Sequence, residues 1–307
     1  MSIWNRIRMP QIRRTPSIGT TPFLSLVVIL ATTAGAITAA DVDADADPSS
    51  KHKPSNVPVT ARKADVTVYP TSIKLSSARD FQSVVAVQQR RDGITVDVTD
   101  KVKWSVVKPA IAKIENGSVH PLLDGQTELL GRFGGSEFRI PITVTHADVD
   151  PAISFTADVM PVLTRAGCNT GSCHGAARGK DGFRLSLFGY DPRGDYQRIT
   201  REIGVRRINL AVPAESLLLK KSVGAVPHTG GKLFDVDSDL YRTIHRWLRE
   251  GAKMDDPKIP PPAVQSLTFD PPQAVIEGPG TQQRFVAIAN LADGTTRDVT
   301  KLAAFTS

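Results

Sequence analysis

An internal repeat restricts the fold more than any other feature of this chain. At an offset of 201 residues, Val85-Ala86 recurs as Val286-Ala287, the Asp92-Gly93 turn as Asp293-Gly294, and Asp97-Val98-Thr99 as Asp298-Val299-Thr300, with Trp104 answered by Phe305. Around the first copy, β-branched runs at 66–69, 83–87, 95–98 and 138–144 alternate with the turn signals Asp92-Gly93, Asn116-Gly117, Asp124-Gly125 and Gly134-Gly135. Short strands punctuated in this way pack as a β-sandwich. Residues 65–146 are therefore expected to form one sandwich, and residues 265–307 the opening strands of a second. Half a sandwich leaves a hydrophobic face uncovered. The second copy is thus expected to be part of a longer protein, the alternatives being a poorly ordered tail or one that pairs with another molecule.

Between the copies, residues 153–254 change character. Phe155, Val159, Val162 and Leu163 fall at helical spacing. Ser238 is placed to cap a helix over 239–250, with Leu240, Ile244, Trp247 and Leu248 on one face and Gly251 ending it. Both cysteines lie in this segment, in Cys168-Asn169-Thr170-Gly171-Ser172-Cys173-His174-Gly175. A Cys-x-x-Cys-His run is the attachment signature of c-type haem, two thiols adding to vinyl groups while the adjacent His binds iron. Here four residues separate the cysteines, but all four are small, flexible or turn-forming, and the Cys-His adjacency is kept. The distal position has no Met-Pro loop before the last helix; the corresponding stretch reads Val226-Pro227-His228-Thr229-Gly230-Gly231-Lys232. His228 is the distal-ligand candidate, with Met160 and Met254 behind it. Two other readings stay open: a Cys168–Cys173 disulfide, and a zinc site using both thiolates, His174 and His228. His245, His52, His120 and His146 are assigned no chemistry.

The Asp-Gly turn followed by a strand ending Asp-Val-Thr and then an aromatic resembles the bacterial Ig-like domain of group 2. The order helix, Cys-His motif, variable loops and closing L-x3-I-x2-W-L-x2-G-A helix resembles cytochrome c-like domains. More narrowly, it is similar to the planctomycete-type module found beside such Ig-like domains in large exported proteins. The resemblance implies a multidomain chain: an all-β Ig-like sandwich, a mainly α cytochrome c-like domain at 153–254, and a partial Ig-like β segment. It also implies covalent haem c on Cys168 and Cys173, iron ligation by His174, and a role in electron transfer or redox sensing. The alternative is an Ig-like adhesion or scaffold protein without haem.

Residues 1–40 carry four arginines and no acid, and an uncharged stretch from Thr15 to Ala40 is centred on Phe23–Ala31. A basic start, a short apolar centre and small residues before the acidic run at 41–47 describe a secretory leader; an uncleaved membrane anchor is the alternative. Residues 41–64 read as a disordered linker and 255–264 as a Pro-rich one. Export would place the rest in the periplasm or at the cell surface. The formal charge of +7 includes four from the leader. The remainder is concentrated in residues 153–254, with 16 basic and 10 acidic side chains, against 14 and 15 in 41–152 and 4 and 6 in 255–307. Export and this modest excess weigh against nucleic acid and fit a cationic face for an acidic redox partner. Basic residues near the motif, among them Arg165, Arg184, Arg206 and Lys221, could also neutralise haem propionates. No G-x-S-x-G elbow, P-loop or H-E-x-x-H run is present, so an electron carrier is expected over a substrate-converting enzyme.

Overall fold

The computed structural model describes residues 12–14, 65–203 and 206–304. The expected leader and linker lie outside the described residues except for Ile12–Arg14, whose backbone pairs in parallel with Ala274–Ile276. Phe305 also lies outside them. In the first β unit, strands Ile73–Leu75, Ser136–Val144, Gly125–Phe133 and Lys103–Val106 form one sheet in that order. Val66–Tyr69, Val85–Gln89 and Thr95–Asp97 form a second. Gln82–Ser83, Ser118–Pro121 and Ala112–Glu115 form a third. The long hairpin turns at Gly134-Gly135, both at positive φ, a conformation that suits a two-residue turn and that glycine adopts at little cost. Alternation along Ser136–Val144 buries Ile140, Ile142 and Val144 against Ile73, Leu75, Leu129 and Val119.

The 201-residue offset is reproduced in strand register. Val66–Gln88, Val68–Ala86 and Tyr69–Val85 pair in the first unit; Leu267–Ala289, Phe269–Ala287 and Asp270–Val286 pair in the second. Val87–Asp97 is likewise repeated as Ile288–Asp298. The Asp-Val-Thr motif does the same work twice: Thr99 Oγ1 accepts from Ala86 N at 3.0 Å, and Thr300 Oγ1 from Ala287 N at 2.9 Å.

The second unit covers its apolar strand with the first unit. Val85 and Val87 bury against Val286 and Ile288, their own counterparts in the repeat. The polar contacts are exchanged in the same sense: Ser83 N donates to Asp298 Oδ2 at 2.6 Å, and Arg284 N to Asp97 Oδ2 at 3.0 Å. Each donor and each acceptor is the 201-residue equivalent of the other, so the interface has the reciprocity of a two-fold contact.

The middle segment corrects the expected fold class: among the described residues, 153–254 do not form the expected mainly α cytochrome c-like domain. A π-helical turn, Phe155–Val159, runs into α1 (Met160–Arg165); α2 (Pro192–Thr200), α3 (Leu217–Ser222) and α4 (Asp239–Arg249) complete the α-helix of the described residues. Of these, only α4 exceeds nine residues. Twelve glycines fall between 153 and 254, and glycine inside a helix costs about 1 kcal/mol against alanine. The amphipathic stretches flanking the segment do become helical. Ser238 caps α4 by accepting from Tyr241 N, and Gly251 has φ 90° beyond its end. Between these flanks the chain is mostly turns, interrupted by the short α2 and α3, and is held to one core by Phe155, Leu163, Ile199, Leu219, Ile244 and Trp247.

Candidate functional site

The cysteine loop begins where α1 stops. Gly167 takes φ 76°, and Cys168 N donates back to Leu163 O at 2.9 Å, which closes the helix end. The loop then folds on itself: Cys173 N donates to Thr170 O at 3.0 Å, His174 N to Cys168 O at 3.0 Å, and Gly175 N to Thr170 O at 2.9 Å. These bonds bring the second cysteine and its histidine back beside the first despite the two extra residues. Both cysteines are free thiols; Cys168 is buried and Cys173 half-buried. Burial, with Cys173 nearby, pushes the Cys168 thiol up to about 12, so it stays protonated at neutral pH.

His174 is fixed from two sides. Its Nδ1 donates to Phe183 O at 2.9 Å, and the Phe183 ring lies 4.7 Å away, centroid to centroid. Arg207 sits over that ring, 4.4 Å from its centroid, and is tied to the carbonyls of Arg198 and Glu202 at 2.8 Å each. Burial pushes the His174 pKa down and the neighbouring His228 adds to this, against the Phe183 carbonyl, which favours the protonated ring.

His228 comes from a loop 54 residues downstream. Its Nδ1 donates to Gly231 O at 2.8 Å, and Lys221 Nζ holds the preceding Pro227 O at 3.1 Å. Gly230 lets the ring sit close to the chain, since a Cβ there would lie 3.0 Å from His228 Cε1. The His174 and His228 rings stand 6.4 Å apart, with planes only 12° from parallel. Tying each Nδ1–H to a carbonyl fixes the tautomer whose lone pair is on Nε2, the arrangement that metal-binding histidines use.

Cys168, Cys173, His174 and His228 all line one cavity of about 640 Å³, within the usual range of about 300–1,000 Å³ for small-molecule sites. Its wall is apolar at Leu163, Phe183, Leu185, Leu217, Leu218 and Leu233, with Lys180, Arg206, Arg207 and Lys221 also lining it. Met160 and Met254 pack in the module's core and do not line this space. His245 stacks on Tyr241, and His120 faces Phe81 in the first β unit. Among the described residues no three or more His, Cys, Asp or Glu side chains converge as a metal-holding group, so the four-ligand zinc arrangement is not assembled. The sequence carried no signal for Phe183, which acts through its carbonyl and ring. Nor did it signal Gly175, where a Cβ would come within 2.1 Å of Asn169 O.

No helix among the described residues is long and apolar enough to cross a membrane. No protein-family model matches the chain, and no curated protein gives a significant match. Among solved structures the chain is similar, over part of its length, to domains 4 and 5 of the S-layer protein SbsC. That match has 16% identity and a TM-score of 0.23, and covers 26% of this chain and 50% of that one. A structure of SbsC domains 1–6 is similar at 16% identity and a TM-score of 0.24, over 29% of this chain and 13% of that one. Scores this low carry no conclusion about the fold or role of this chain.

Proposed function

We propose that this chain is an exported protein of the periplasm or cell surface that holds a covalently attached c-type haem between residues 153 and 254, for electron transfer or redox sensing. The observation that carries this reading is the pair of near-parallel imidazoles 6.4 Å apart in a cavity that both cysteines also line. Both rings keep the Nε2 lone pair for a metal, because each Nδ1–H is held by a carbonyl, Phe183 O for His174 and Gly231 O for His228. The donor set fits the group: two thiols, two imidazoles with fixed tautomers, and an apolar wall for a flat macrocycle.

In this reading Cys168 and Cys173 anchor the group through thioethers. Each S–H adds across a vinyl C=C, sulfur bonding one carbon and the proton passing to the other, with no net oxidation. His174 and His228 would hold the iron through their Nε2 atoms, Phe183 and Gly231 orient the two rings through their carbonyls, and the leucine wall would exclude water. A haem held there would supply a one-electron iron couple. With both histidines holding the iron, electron transfer would be favoured over small-ligand binding.

The test is expression of the full chain with a c-haem maturation system. Haem that survives denaturing electrophoresis, and disappears in Cys168→Ala plus Cys173→Ala, is the expected result. His228→Ala should shift the visible spectrum. Exported protein that carries no haem and has a Cys168–Cys173 disulfide overturns the proposal.

A further inference from the structure

Phe188 stands out in the segment outside the cysteine loop. It has φ 51° and ψ 24°, left-handed values that a bulky side chain adopts only under strain. The residue is 51% exposed, so burial does not compensate that strain. Leu187 and Tyr190 beside it are 42% and 68% exposed. The backbone here is nonetheless held firmly. Phe188 N donates to Asn169 O at 3.0 Å, and the fully buried Asp195 accepts from Ser186 N at 2.6 Å and Ser186 Oγ at 2.5 Å. Gly189 packs on α1, where a Cβ would lie 2.9 Å from Met160 Cε. Strain that the surrounding structure over-determines, on an exposed aromatic, points to a surface kept for a partner.

Charge indicates the partner. Arg165 closes α1, while Arg184 and Arg193 flank the segment three residues before Leu187 and three after Tyr190. All three are exposed, with no ion pair or hydrogen bond among the described residues. Of the nearby carboxylates, Asp191 and Asp195 are engaged by Arg198, while Asp181 lines the cysteine cavity. The surface thus has apolar side chains at 187–190, flanked in sequence by Arg184 and Arg193, with Arg165 ending the helix on which Gly189 packs. It also lies directly on the cysteine loop: Asn169, which receives the Phe188 N–H, adjoins Cys168, and a Cβ on Gly171 would touch Leu187 Cδ1 at 3.9 Å.

We infer that Leu187, Phe188 and Tyr190, together with Arg165, Arg184 and Arg193, form the docking surface for an acidic redox protein that exchanges electrons across the cysteine loop. This rests on the haem reading above. Opposite charge would speed encounter and fall off with salt, while the apolar centre sets the close approach.

The haem-loaded full chain is mixed in stopped flow with a flavodoxin hydroquinone, the flavodoxin being a small acidic flavoprotein. The second-order rate should fall about tenfold between 10 and 300 mM salt, and about tenfold at low salt in Arg165→Gln/Arg184→Gln/Arg193→Gln. Phe188→Gly should slow exchange about tenfold with an unchanged visible spectrum. Because glycine accepts this backbone freely, the same substitution should raise the melting temperature by about 2 °C. Unchanged rates in these variants overturn the inference. So does a lower melting temperature in Phe188→Gly, which would make the ring a structural support. A chain that takes up no haem fails at the electrophoresis stage, before any kinetics, and there it is the parent reading that falls.

Discussion

Gly175 follows His174 directly, and its missing side chain is what lets the loop close on itself. An added Cβ would sit 2.1 Å from Asn169 O and 2.6 Å from Asn169 C, backbone atoms that cannot swing away. Gly175→Ala should therefore cost about 2–4 kcal/mol in urea unfolding and, on the haem reading proposed above, abolish haem attachment, because His174 moves with the loop. His174 makes a prediction of its own. Its folded pKa lies below the ordinary value of about 6.5, through burial first and the neighbouring His228 second. Between those two values the unfolded chain binds more protons than the folded one, so the haem-free protein loses stability as pH falls through that window. Melting temperatures from pH 8 to pH 5 should show this decline, and His174→Gln should flatten it.

At the scale of elements, the two β units depend on exchanged carboxylates of unequal weight. Asp298 is buried, accepts from Ser83 N across the interface, and also fixes its own turn through Thr300 N at 2.8 Å. Asp97 makes the matching pair of contacts, to Arg284 N and Thr99 N, from a more exposed position. Removing a buried acceptor leaves its donors unsatisfied at about 1–3 kcal/mol, whereas an exposed site lets water replace it. Asp298→Ala should thus lower the urea midpoint clearly more than Asp97→Ala. Equal losses would show that the repeat's symmetry extends to its energetics as well as its geometry. The helices of the middle module follow a different logic. Those at its two flanks are amphipathic and packed, while the glycine-rich chain between them is ordered by loop hydrogen bonds and the shared core.

Across the whole molecule, Asp158 joins all three parts. It lies in the π-helical turn before α1, is almost fully buried, and receives Arg297 of the second β unit at 2.5 Å and Arg79 of the first at 3.4 Å. Ser154 N completes the set at 2.9 Å. Burial alone would raise its pKa, but the two guanidiniums outweigh it and hold the carboxyl below the usual range. A depressed carboxylate adds stability above its unfolded value of about 3.9 and loses it as pH falls through the folded one. Asp158→Asn should accordingly cost about 1–3 kcal/mol near pH 7 and make acid unfolding below pH 4 less steep. Urea unfolding at both pH values checks this.

The repeat was legible from residue identities because strand register and hairpin turns are local. Alternation sets the buried face, and Asp-Gly and Asp-Val-Thr set the turns, so an offset of 201 in sequence became an offset of 201 in pairing. The cap of α4 was legible for the same reason, since Ser238 and Tyr241 lie within one turn. The fold class of the middle segment was misread because helical spacing at its flanks says nothing about the glycine-rich chain between them. His228 was named from the sequence as the counterpart of His174, but how the two rings meet, and how Arg79 and Arg297 converge on Asp158, were settled only by tertiary structure. Those contacts join segments 54 to 139 residues apart, and burial against distant chain leaves no periodic mark on the sequence that forms it.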